Sequence, residues 1–376
     1  MKPKLAFVNP LLVKIKKDNL YRKMHNVKNK GPYIYINKKK LLNLCSNDYL
    51  GLSHIHHNSD QLQTSSRLIA GNDVSFNILE RKLAHHKSQE SSLVFPTGYM
   101  TNLGAISTIV RKNDVIFSDE LNHASIIEAC RLGKARVLVY KHNDVDDLIS
   151  KIKHENRQKF VVTEGVFSMD GDVANLKQIS EITEKTNSIL VLDDAHGDFT
   201  LGEDGKGTAN HLKISKKIDL YVSSLSKGLG SFGGYVASQN NVIDLLINRS
   251  KSFIYTSALP SFLVKDAIKK FDSNREKRQE KLQRNTKLFR NGLKNIGYDV
   301  SSVTHIIPII VGKEKMALEF GKYLFKNGVF AQPIRYPTVG KNKARIRLSV
   351  TAWFEENHIE KALDVFETTG KKFQII

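Results

Sequence analysis

The sequence predicts an α/β protein built on a mainly parallel β-sheet. Short apolar runs rich in Val and Ile alternate with helical patterns along much of the chain, as expected when helices connect parallel strands. Several of these runs end in polar or glycine-rich segments. With 376 residues, 40% of them hydrophobic, the chain is long enough to form a large core and two domains.

Local patterns predict the individual elements in chain order. Residues 33–36 alternate as a short strand does, and residues 74–86 have helical spacing. A second helix follows Pro96 and runs to about Val110. Further strands are predicted at 115–117, 136–140, 160–164, 189–193, 218–223 and 234–237.

The C-terminal third has a different character. Residues 261–296 are strongly helical and charged, and residues 344–350 form an alternating strand near the end. We therefore expect three parts: a basic arm over residues 1–40, a large domain over 41–272 and a small α+β domain over 273–376.

Several classes of protein are excluded by composition. No apolar run is long enough to span a bilayer, and the N-terminus lacks a secretory pattern. Cys45 and Cys130 are isolated, which predicts neither a zinc site nor a disulfide framework. His54, His56 and His57 resemble a metal cluster, but no carboxylate lies at helical spacing, so a solvated loop is favoured. We expect a cytoplasmic protein without a metal ion.

The net charge of +20 is concentrated near the N-terminus. Residues 1–40 contain 12 Lys and Arg against one acid, Asp18, an excess of +11. Such an arm could bind nucleic acid or an anionic membrane. It could also reflect a proteome rich in lysine, with a surface that attracts acidic partners such as a coenzyme A thioester or an acyl carrier protein. No nucleic-acid recognition motif accompanies the charge, so we predict no nucleic-acid or membrane partner.

Three reactive side chains follow two of the predicted strands. Lys227 lies on a glycine-rich turn after one apolar run, and Asp193 and His196 follow another. A pyridoxal phosphate enzyme requires these groups, because the lysine forms the Schiff base and the carboxylate keeps the pyridine nitrogen protonated. A single lysine near glycine would be a solvated surface residue. The combination predicts a pyridoxal phosphate site.

Glycine-rich segments have two possible interpretations. Residues 228–233 fit G-x-G-x-x-G, but a strand follows them instead of a helix, so a turn beside Lys227 is favoured over a dinucleotide site. Gly98 and Tyr99 open a predicted helix. They could seat a phosphate on its first N–H groups, or simply begin the helix.

Two further side chains are ambiguous. His123 could cap a helix, or stack as a flat ring on a pyridine. Arg347 lies on the alternating strand near the C-terminus. It could be an exposed strand arginine or a bidentate clamp for an amino acid carboxylate.

From about residue 41 to 365 the chain resembles the α-oxoamine synthases, pyridoxal-phosphate enzymes of fold type I. The motifs that carry the resemblance are Ser46-Asn47-Asp48-Tyr49-Leu50-Gly51-Leu52, Leu121-Asn122-His123-Ala124-Ser125, His142-Asn143-Asp144-Val145, 164–172, Asp193-Asp194-Ala195-His196-Gly197 and Ser226-Lys227-Gly228. The resemblance implies a large domain with a mainly parallel sheet and a smaller α+β C-terminal domain.

Residues 334–348 are close to one branch of this family. That branch condenses L-alanine with a pimeloyl thioester, carried on coenzyme A or an acyl carrier protein, and releases CO2 in biotin biosynthesis. The alternatives are another α-oxoamine synthase, such as glycine C-acetyltransferase, with a different amino acid or acyl chain, and a nucleic-acid-binding protein on a degenerate enzyme fold. Because Lys227, Asp193, His196 and His123 are all present, degeneration is disfavoured.

The resemblance implies roles around the cofactor ring. Lys227 would hold the cofactor and later move the Cα proton of the substrate. Asp193 would pair with the pyridinium nitrogen, and His196 would reach the ring hydroxyl. His123 would stack on the ring face, and Ser168 would lie near the ring oxygen.

The resemblance also implies phosphate and substrate contacts. Gly98, Tyr99 and Ser224 would seat the phosphate, helped by Ser257 of the partner subunit. The substrate carboxylate would bind Asn47 and Arg347. A site shared in this way makes an obligate homodimer the expected state.

Two segments depart from the family pattern. The stretch between Leu52 and Arg67 is short, and Thr64-Ser65-Ser66-Arg67 stands where the family usually has a glycine-rich stretch. Phe76 occupies a position that is usually histidine. Both departures concern the acyl substrate more than the cofactor.

Overall fold

The computed structural model describes residues 8–21, 27–52 and 65–376. The chain divides into two compact units. The large unit comprises Asn47–Ser168 and Asp172–Glu280, and the small unit comprises Met1–Ser46, Met169–Gly171 and Lys281–Ile376. His54, His56 and His57, together with parts of the basic arm, lie outside the described residues.

A seven-stranded sheet forms the centre of the large unit. Its strand order is β4-β10-β9-β8-β7-β5-β6. The strands, numbered in chain order, are β4 (Ser91–Phe95), β5 (Val115–Asp119), β6 (Arg136–Tyr140), β7 (Lys159–Glu164), β8 (Ile189–Asp193), β9 (Leu220–Ser224) and β10 (Gly234–Ser238). Only β10 is antiparallel to its neighbours, β4 and β9. The predicted parallel sheet is therefore confirmed, and β4 is added to the six strands predicted.

Helices connect these strands. Those of the large unit are α2 (Val74–His86), α3 (Gly98–Ile109), α4 (Ala124–Gly133), α5 (Val145–Ile152), α6 (Leu176–Lys185), α7 (Thr208–His211), α8 (Asn240–Arg249), α9 (Lys251–Ile254) and α10 (Ser261–Phe271). Shorter helical turns lie at Arg67–Gly71, Glu203–Gly205 and Ser215–Lys217. Every residue of β5, β9 and β10 is buried, as expected for a sheet covered on both faces.

The register of the parallel strands determines where the polar residues lie. Glu164 at the end of β7 is the partner of Asp193 at the end of β8, and Asp193 is in turn the partner of Val222 on β9. Ligands of open α/β sheets bind in the crevice beyond these carboxyl ends. The sheet thus brings the strand-end groups to one edge.

Two smaller sheets form the small unit. One has the order β1-β2-β3-β12 and the other β11-β14-β13. The strands are β1 (Val27–Lys30), β2 (Tyr33–Ile36), β3 (Lys39–Asn43), β11 (Ile306–Gly312), β12 (Val329–Phe330), β13 (Pro333–Ile334) and β14 (Ala344–Ser349). The helices are α1 (Val8–Lys17), α12 (Glu314–Lys326), α13 (Glu356–Lys372) and, from Lys281 onwards, α11 (Glu276–Asn295).

The strongly helical segment 261–296 contains two helices, α10 and α11, separated by residues 272–275. Residues 27–43 form β1 to β3 and pair with β12, so this part of the basic arm belongs to the small unit. The unit boundaries lie after Ser46 and Glu280, whereas the sequence predicted them after residues 40 and 272.

In the described residues, no helix combines the length and apolarity needed to cross a membrane.

Candidate active site

A cavity of about 700 Å³ lies at the carboxyl ends of the strands of the large unit. It brings together seven of the residues predicted from the sequence, and also Asn102, Ser125 and Glu164, which were not predicted. The predicted residues that line it are Gly98, Tyr99, His123, Asp193, His196, Ser224 and Lys227, of which His123 had an alternative interpretation as a helix cap.

Lys227 lies on a tight turn between β9 and β10. The turn is closed by backbone hydrogen bonds from Gly230 N to Lys227 O (3.0 Å) and from Leu225 N to Gly233 O (3.0 Å). A Cβ atom at Gly228 would lie 2.6 Å from the carbonyl oxygen of Asp198. Only glycine allows the backbone to approach this closely, so the glycines shape the turn, as predicted, and open no helix.

His196 connects Lys227 to a tyrosine that the sequence analysis did not single out. Its Nε2 lies 2.9 Å from Lys227 Nζ, and its Nδ1 lies 2.7 Å from the hydroxyl of Tyr49. The Tyr49 hydroxyl donates its proton to Asn47 Oδ1 at 3.0 Å, so it accepts from His196. The hydrogen bonds therefore assign the proton of a neutral His196 to Nδ1, which leaves Nε2 as the acceptor that faces the Lys227 amine.

Asp193 is held by two donors. Its Oδ1 accepts from Ala195 N at 3.0 Å, and its Oδ2 accepts from the side-chain amide of Asn102 at 2.6 Å. Asn102 lies on α3, one turn after Gly98. The carboxylate is 7% exposed, so its position relative to the cavity is fixed by these bonds and by β8.

His123 combines the two roles between which the sequence did not decide. It caps α4, because its Nδ1 accepts from Ser125 N at 3.2 Å, and its ring also lines the cavity. Its Nδ1 lies 2.7 Å from Ser125 Oγ, which in turn accepts from Asn102 at 2.9 Å. A continuous hydrogen-bonded path thus connects His123 with Asp193. Burial lowers the pKa of His123; Asp193 opposes this effect and Lys227 adds to it.

The path also fixes the tautomer of His123. Ser125 Oγ accepts a proton from Asn102 and has its own proton available for His123 Nδ1. Nδ1 therefore accepts two hydrogen bonds, and the ring proton is on Nε2.

Glu164 is a buried acid in the same cavity. Its Oε1 has no hydrogen-bond partner among the described residues, and the residue is 3% exposed. Burial and then the negative charge of Asp193 raise the pKa of Glu164 to about 8, although Lys227 acts in the opposite direction. At neutral pH Glu164 is therefore mostly protonated and can donate a hydrogen bond into the cavity.

The start of α3 provides a site for a phosphate group. Thr97 caps the helix by accepting from Met100 N at 3.1 Å, while the first N–H groups of a helix have no intrahelical acceptor. Ser224 Oγ and Ser226 Oγ lie 2.9 Å apart at the end of β9. A Cβ atom at Gly98 would lie 3.2 Å from Ser224 Cβ, so a side chain there would crowd this site.

A buried ion cluster lies directly behind the cavity. Lys87 Nζ is 3.0 Å from Asp194 Oδ2 and 2.7 Å from Asp198 Oδ1, with all three side chains fully inaccessible. Burial alone would lower the pKa of Lys87, but Asp198 and Asp194 raise it above its ordinary value. Because this cluster fixes the residues on both sides of His196, it holds the Asp193–His196 turn in place.

A second ion cluster anchors the segment that follows β7. His142 Nδ1 lies 3.0 Å from Asp119 Oδ1, and its Nε2 lies 2.8 Å from Asp172 Oδ2. Burial acts to lower the pKa of His142, but the hydrogen bonds to the two carboxylates raise it to about 10. A positively charged His142 therefore ties β5 to the segment that contains Ser168.

Four predicted residues do not line the cavity. Asn47 Oδ1 accepts from the Tyr49 hydroxyl at 3.0 Å. Ser168 is buried within the segment that follows β7. Ser257 is exposed, beside a smaller cavity with Arg67 and Phe253. Arg347 lies on β14 of the small unit, where it donates to Ser349 Oγ at 2.8 Å. In the described part of the chain, no group of three or more His, Cys, Asp and Glu side chains could hold a metal ion.

The residues of the cavity fit pyridoxal phosphate. Asp193 offers a buried, hydrogen-bonded carboxylate to a protonated pyridine nitrogen, Lys227 offers an amine, and the α3 N-terminus offers N–H groups to a phosphate. Glu164 Oε1, buried and without a hydrogen-bond partner among the described residues, is a polar atom that a bound ligand would satisfy. These groups, on the carboxyl ends of a mainly parallel sheet, define a pyridoxal-phosphate-dependent enzyme of fold type I.

Comparison with known proteins agrees with this class. A family model described as aminotransferase class I and II matches residues 39–366, and the chain belongs to this family. An 8-amino-7-oxononanoate synthase of Thermoanaerobacter pseudethanolicus is 42% identical, with 99% of this chain and 98% of that protein covered. An 8-amino-7-oxononanoate synthase of Bacillus subtilis is 37% identical over the full length of both.

Solved structures show the same fold. Serine palmitoyltransferase from S. paucimobilis, bound to a PLP–myriocin adduct, has a TM-score of 0.93 at 25% identity, with both chains fully covered. The 8-amino-7-oxononanoate synthase of Francisella tularensis has a TM-score of 0.76 at 27% identity, covering 89% of this chain and 99% of that one. The predicted family, fold class, cofactor and class of enzyme, a pyridoxal-phosphate-dependent acyltransferase like 8-amino-7-oxononanoate synthase, are confirmed.

Proposed function

We propose that this protein condenses L-alanine with a pimeloyl thioester to give 8-amino-7-oxononanoate, CO2 and the free thiol, in biotin biosynthesis. The main observation behind this proposal is that one cavity is lined by Lys227, His196, Asp193 and His123. The full-length similarity to proteins named 8-amino-7-oxononanoate synthase supports the choice of substrates.

The reaction requires three changes at carbon. The Cα–H bond of alanine breaks first, and its proton passes to a base of the enzyme. A bond then forms between Cα and the thioester carbonyl carbon, and the thiol leaves. The bond from Cα to the carboxylate then breaks with release of CO2, and a proton replaces it. Pyridoxal phosphate, when bound, supplies the electron sink that accepts the electron pair left on Cα at each stage.

Lys227 moves the Cα proton in this proposal. Its amine lies 2.9 Å from His196 Nε2, an acceptor in the tautomer assigned above. This bond orients the amine, and Tyr49 orients His196 in turn. Proton transfer depends on such positioning, because the base must lie within hydrogen-bond reach of the proton that it removes.

Asp193 and Glu164 are two neighbouring acids of the cavity with different surroundings. Asp193 accepts hydrogen bonds from Asn102 and Ala195, which hold the carboxyl group that would pair with the pyridine nitrogen. Glu164, with its pKa raised to about 8, is mostly neutral and can act as a donor.

We infer the remaining contacts from the family resemblance. Gly98, Tyr99 and Ser224 seat the phosphate together with Ser257 of the partner subunit, and Ser168 lies near the ring oxygen. Asn47 and Arg347 bind the substrate carboxylate. The exposure of Ser257 on its own chain supports a role across a homodimer interface. A biosynthetic enzyme with these substrates works in the cytoplasm.

The test is turnover by purified protein supplied with pyridoxal phosphate, an amino acid and a thioester. We expect L-alanine with pimeloyl thioester to give 8-amino-7-oxononanoate, identified by mass, with one CO2 and one thiol released per product. Asp193→Asn, nearly isosteric, is the control and should retain cofactor but lose turnover by orders of magnitude. A preference for glycine or serine, or for a short acyl group, would replace the proposal with another α-oxoamine synthase activity.

A further inference from the structure

The charge of this protein is divided unequally between its two units. The small unit contains 29 Lys and Arg against 10 Asp and Glu, a net charge of +19. The large unit contains 29 against 28, a net charge of +1. Almost the entire net charge of +20 is therefore on the smaller unit, and it extends well beyond the N-terminal arm.

A general preference for lysine does not explain this division. Such a preference would act along the whole chain, yet in the large unit almost every basic residue is balanced by an acid. Several of its lysines are ion-paired at short distances, for example Lys82 with Asp272 (2.7 Å) and Lys217 with Glu184 (2.9 Å). The excess is a property of one unit, so its cause must also be local.

Part of this charge is gathered at the C-terminal end of α12. Lys39 Nζ donates to the carbonyl oxygens of Phe325 (2.9 Å) and Lys326 (2.8 Å), which brings the β2–β3 turn and Lys38 to this helix end. Lys322 lies one turn earlier on α12. Lys372 Nζ lies 4.4 Å from the ring centroid of Tyr323, next to Lys322 in sequence. We call Lys38, Lys39, Lys322, Lys326 and Lys372 the lysine cluster.

Local structure accounts for only some of these charges. Lys39 and Lys326 complement the negative end of the helix dipole. The other three satisfy no carbonyl group, and no carboxylate among the described residues forms a salt bridge with any member of the cluster. Lys38, Lys322, Lys326 and Lys372 are exposed. Like charges gathered within about one Debye length repel each other, and binding a polyanion would relieve the repulsion.

We infer that the lysine cluster of the small unit is a docking surface for an acidic carrier protein that delivers the acyl group as a thioester. This inference rests on the proposed function, which requires an acyl thioester. The partner is inferred from charge complementarity, because the positive charge of the small unit is mostly on lysine. The small unit has 23 Lys but 6 Arg, and Arg335 and Arg345 are buried. Phosphate and nucleic-acid sites favour the bidentate guanidinium, whereas ammonium groups suit the dispersed carboxylates of an acidic protein.

Docking of this kind acts on the rate of association. Complementary charge accelerates encounter by about 10- to 1000-fold, and salt removes the effect. The lysine cluster would therefore affect kcat/KM for a carrier-bound substrate at low ionic strength. It would leave turnover of a small thioester unchanged.

The test compares two quadruple variants of the full-length holoenzyme. The first carries Lys38→Gln, Lys322→Gln, Lys326→Gln and Lys372→Gln, and leaves Lys39 in place because it caps α12. The matched control carries four exposed lysines of the large unit changed to Gln, namely Lys112, Lys177, Lys185 and Lys216. Glutamine keeps side-chain length and helix propensity, so both variants lose the same charge with little change in local structure.

Three thioesters of the same acyl group serve as substrates: on an acidic acyl carrier protein, on coenzyme A and on N-acetylcysteamine. We expect kcat/KM for the carrier thioester to fall about tenfold in the cluster variant at low salt, with the loss disappearing in high salt. The other two thioesters, and the control variant on all three, should change less than about twofold.

Each of the following results would overturn the inference. Equal loss on all three thioesters would show that the cluster supports the fold, and loss on coenzyme A as well as carrier would show recognition of phosphate. An unchanged rate on the carrier, with lost binding to anionic vesicles or RNA, would assign the surface to a membrane or a nucleic acid. If the unmodified protein used none of the three thioesters with any amino acid, the proposed function would fail first.

Discussion

The side-chain amide of Asn102 donates a hydrogen bond to Asp193, with Nδ2 2.6 Å from Oδ2. The same nitrogen donates to Ser125 Oγ at 2.9 Å, and Ser125 reaches His123 Nδ1 at 2.7 Å. One amide thus fixes the orientation of the carboxylate and contributes to the tautomer of the histidine. Asn102 is therefore a positioning residue for two groups of the cavity.

Replacing Asn102 by Ala should reduce kcat by about 10- to 100-fold. A hydrogen bond to a charged group contributes about 1.5–3 kcal/mol, and a loss of that size in the transition state corresponds to this range. The measurement is steady-state turnover, together with the affinity for pyridoxal phosphate, which should change much less.

Ser125→Ala is the matched control, because it breaks the path to His123 and leaves the bond to Asp193 intact. We expect a smaller loss of turnover and a change in the ¹⁵N shifts of His123 that reports a mixture of tautomers. If Asn102→Ala and Ser125→Ala behaved alike in both measurements, the amide would not act through Asp193.

Lys227→Ala should abolish the covalent link to the cofactor and leave the fold intact. Lys227 lies at the cavity and contributes chemistry more than packing. Borohydride treatment followed by peptide mass analysis should find a reduced cofactor adduct on Lys227 in the parent protein and on no lysine in the variant. A reducible adduct in the variant would mean that another lysine forms the Schiff base.

Glu164→Gln should remove a pH dependence of stability in the cofactor-free protein. The pKa of Glu164 in the folded state is about 8, above the ~4.3 of an unfolded glutamate. The folded protein therefore binds more protons between these values, and stability should fall as pH rises from about 4.5 to 8. Glutamine mimics the neutral acid, so urea unfolding from pH 5 to 9 should show a flatter profile in the variant. Identical slopes would mean that Glu164 is ionised in the fold.

His142→Asn should have its largest effect on stability at neutral and acidic pH. The pKa of His142 is raised to about 10 by Asp119 and Asp172, against ~6.5 in the unfolded chain. Its stabilising contribution is complete below about pH 6.5 and is lost as pH rises towards 10. The difference in unfolding free energy between variant and parent should shrink over this range. The His142 ring also packs against Phe167, with the ring centroids 4.4 Å apart. A constant difference would indicate that the imidazole acts by this packing alone.

Arg347→Lys should raise the KM for alanine steeply while binding of the cofactor is unaffected. An ammonium group cannot reproduce the planar, bidentate fork of a guanidinium on a carboxylate. The measurement is initial rate against alanine concentration at saturating thioester. An unchanged KM would return Arg347 to the role of a strand arginine bonded to Ser349.

The proximity of the strand-end residues could be predicted from the sequence, because parallel strands bring their carboxyl ends to one edge of the sheet. Lys227, Asp193 and His196 each follow an apolar run, so their proximity follows from the sheet alone. Glu164 ends such a run too, and its register with Asp193 could have been predicted by applying the same reasoning to β7.

Other site residues carry no local signal. Asn102 lies within a helix and Tyr49 within a polar turn, and only tertiary packing brings each to its partner. The helical character of 261–296 was predicted, but the position of the break between α10 and α11 was not. The pairing of β3 with β12 joins positions nearly 290 residues apart, which periodicity cannot reveal.

Phe76, at a position where the family resemblance implies a histidine, has a consequence for how this protein responds to acid. Its fully buried ring lies 4.1 Å from the Arg67 guanidinium, which also pairs with Glu80. An imidazole in this position would become a second cation against the guanidinium whenever it took up a proton, and the two would repel. A benzene ring cannot be protonated, so Phe76 adds no second charge beside Arg67 at any pH.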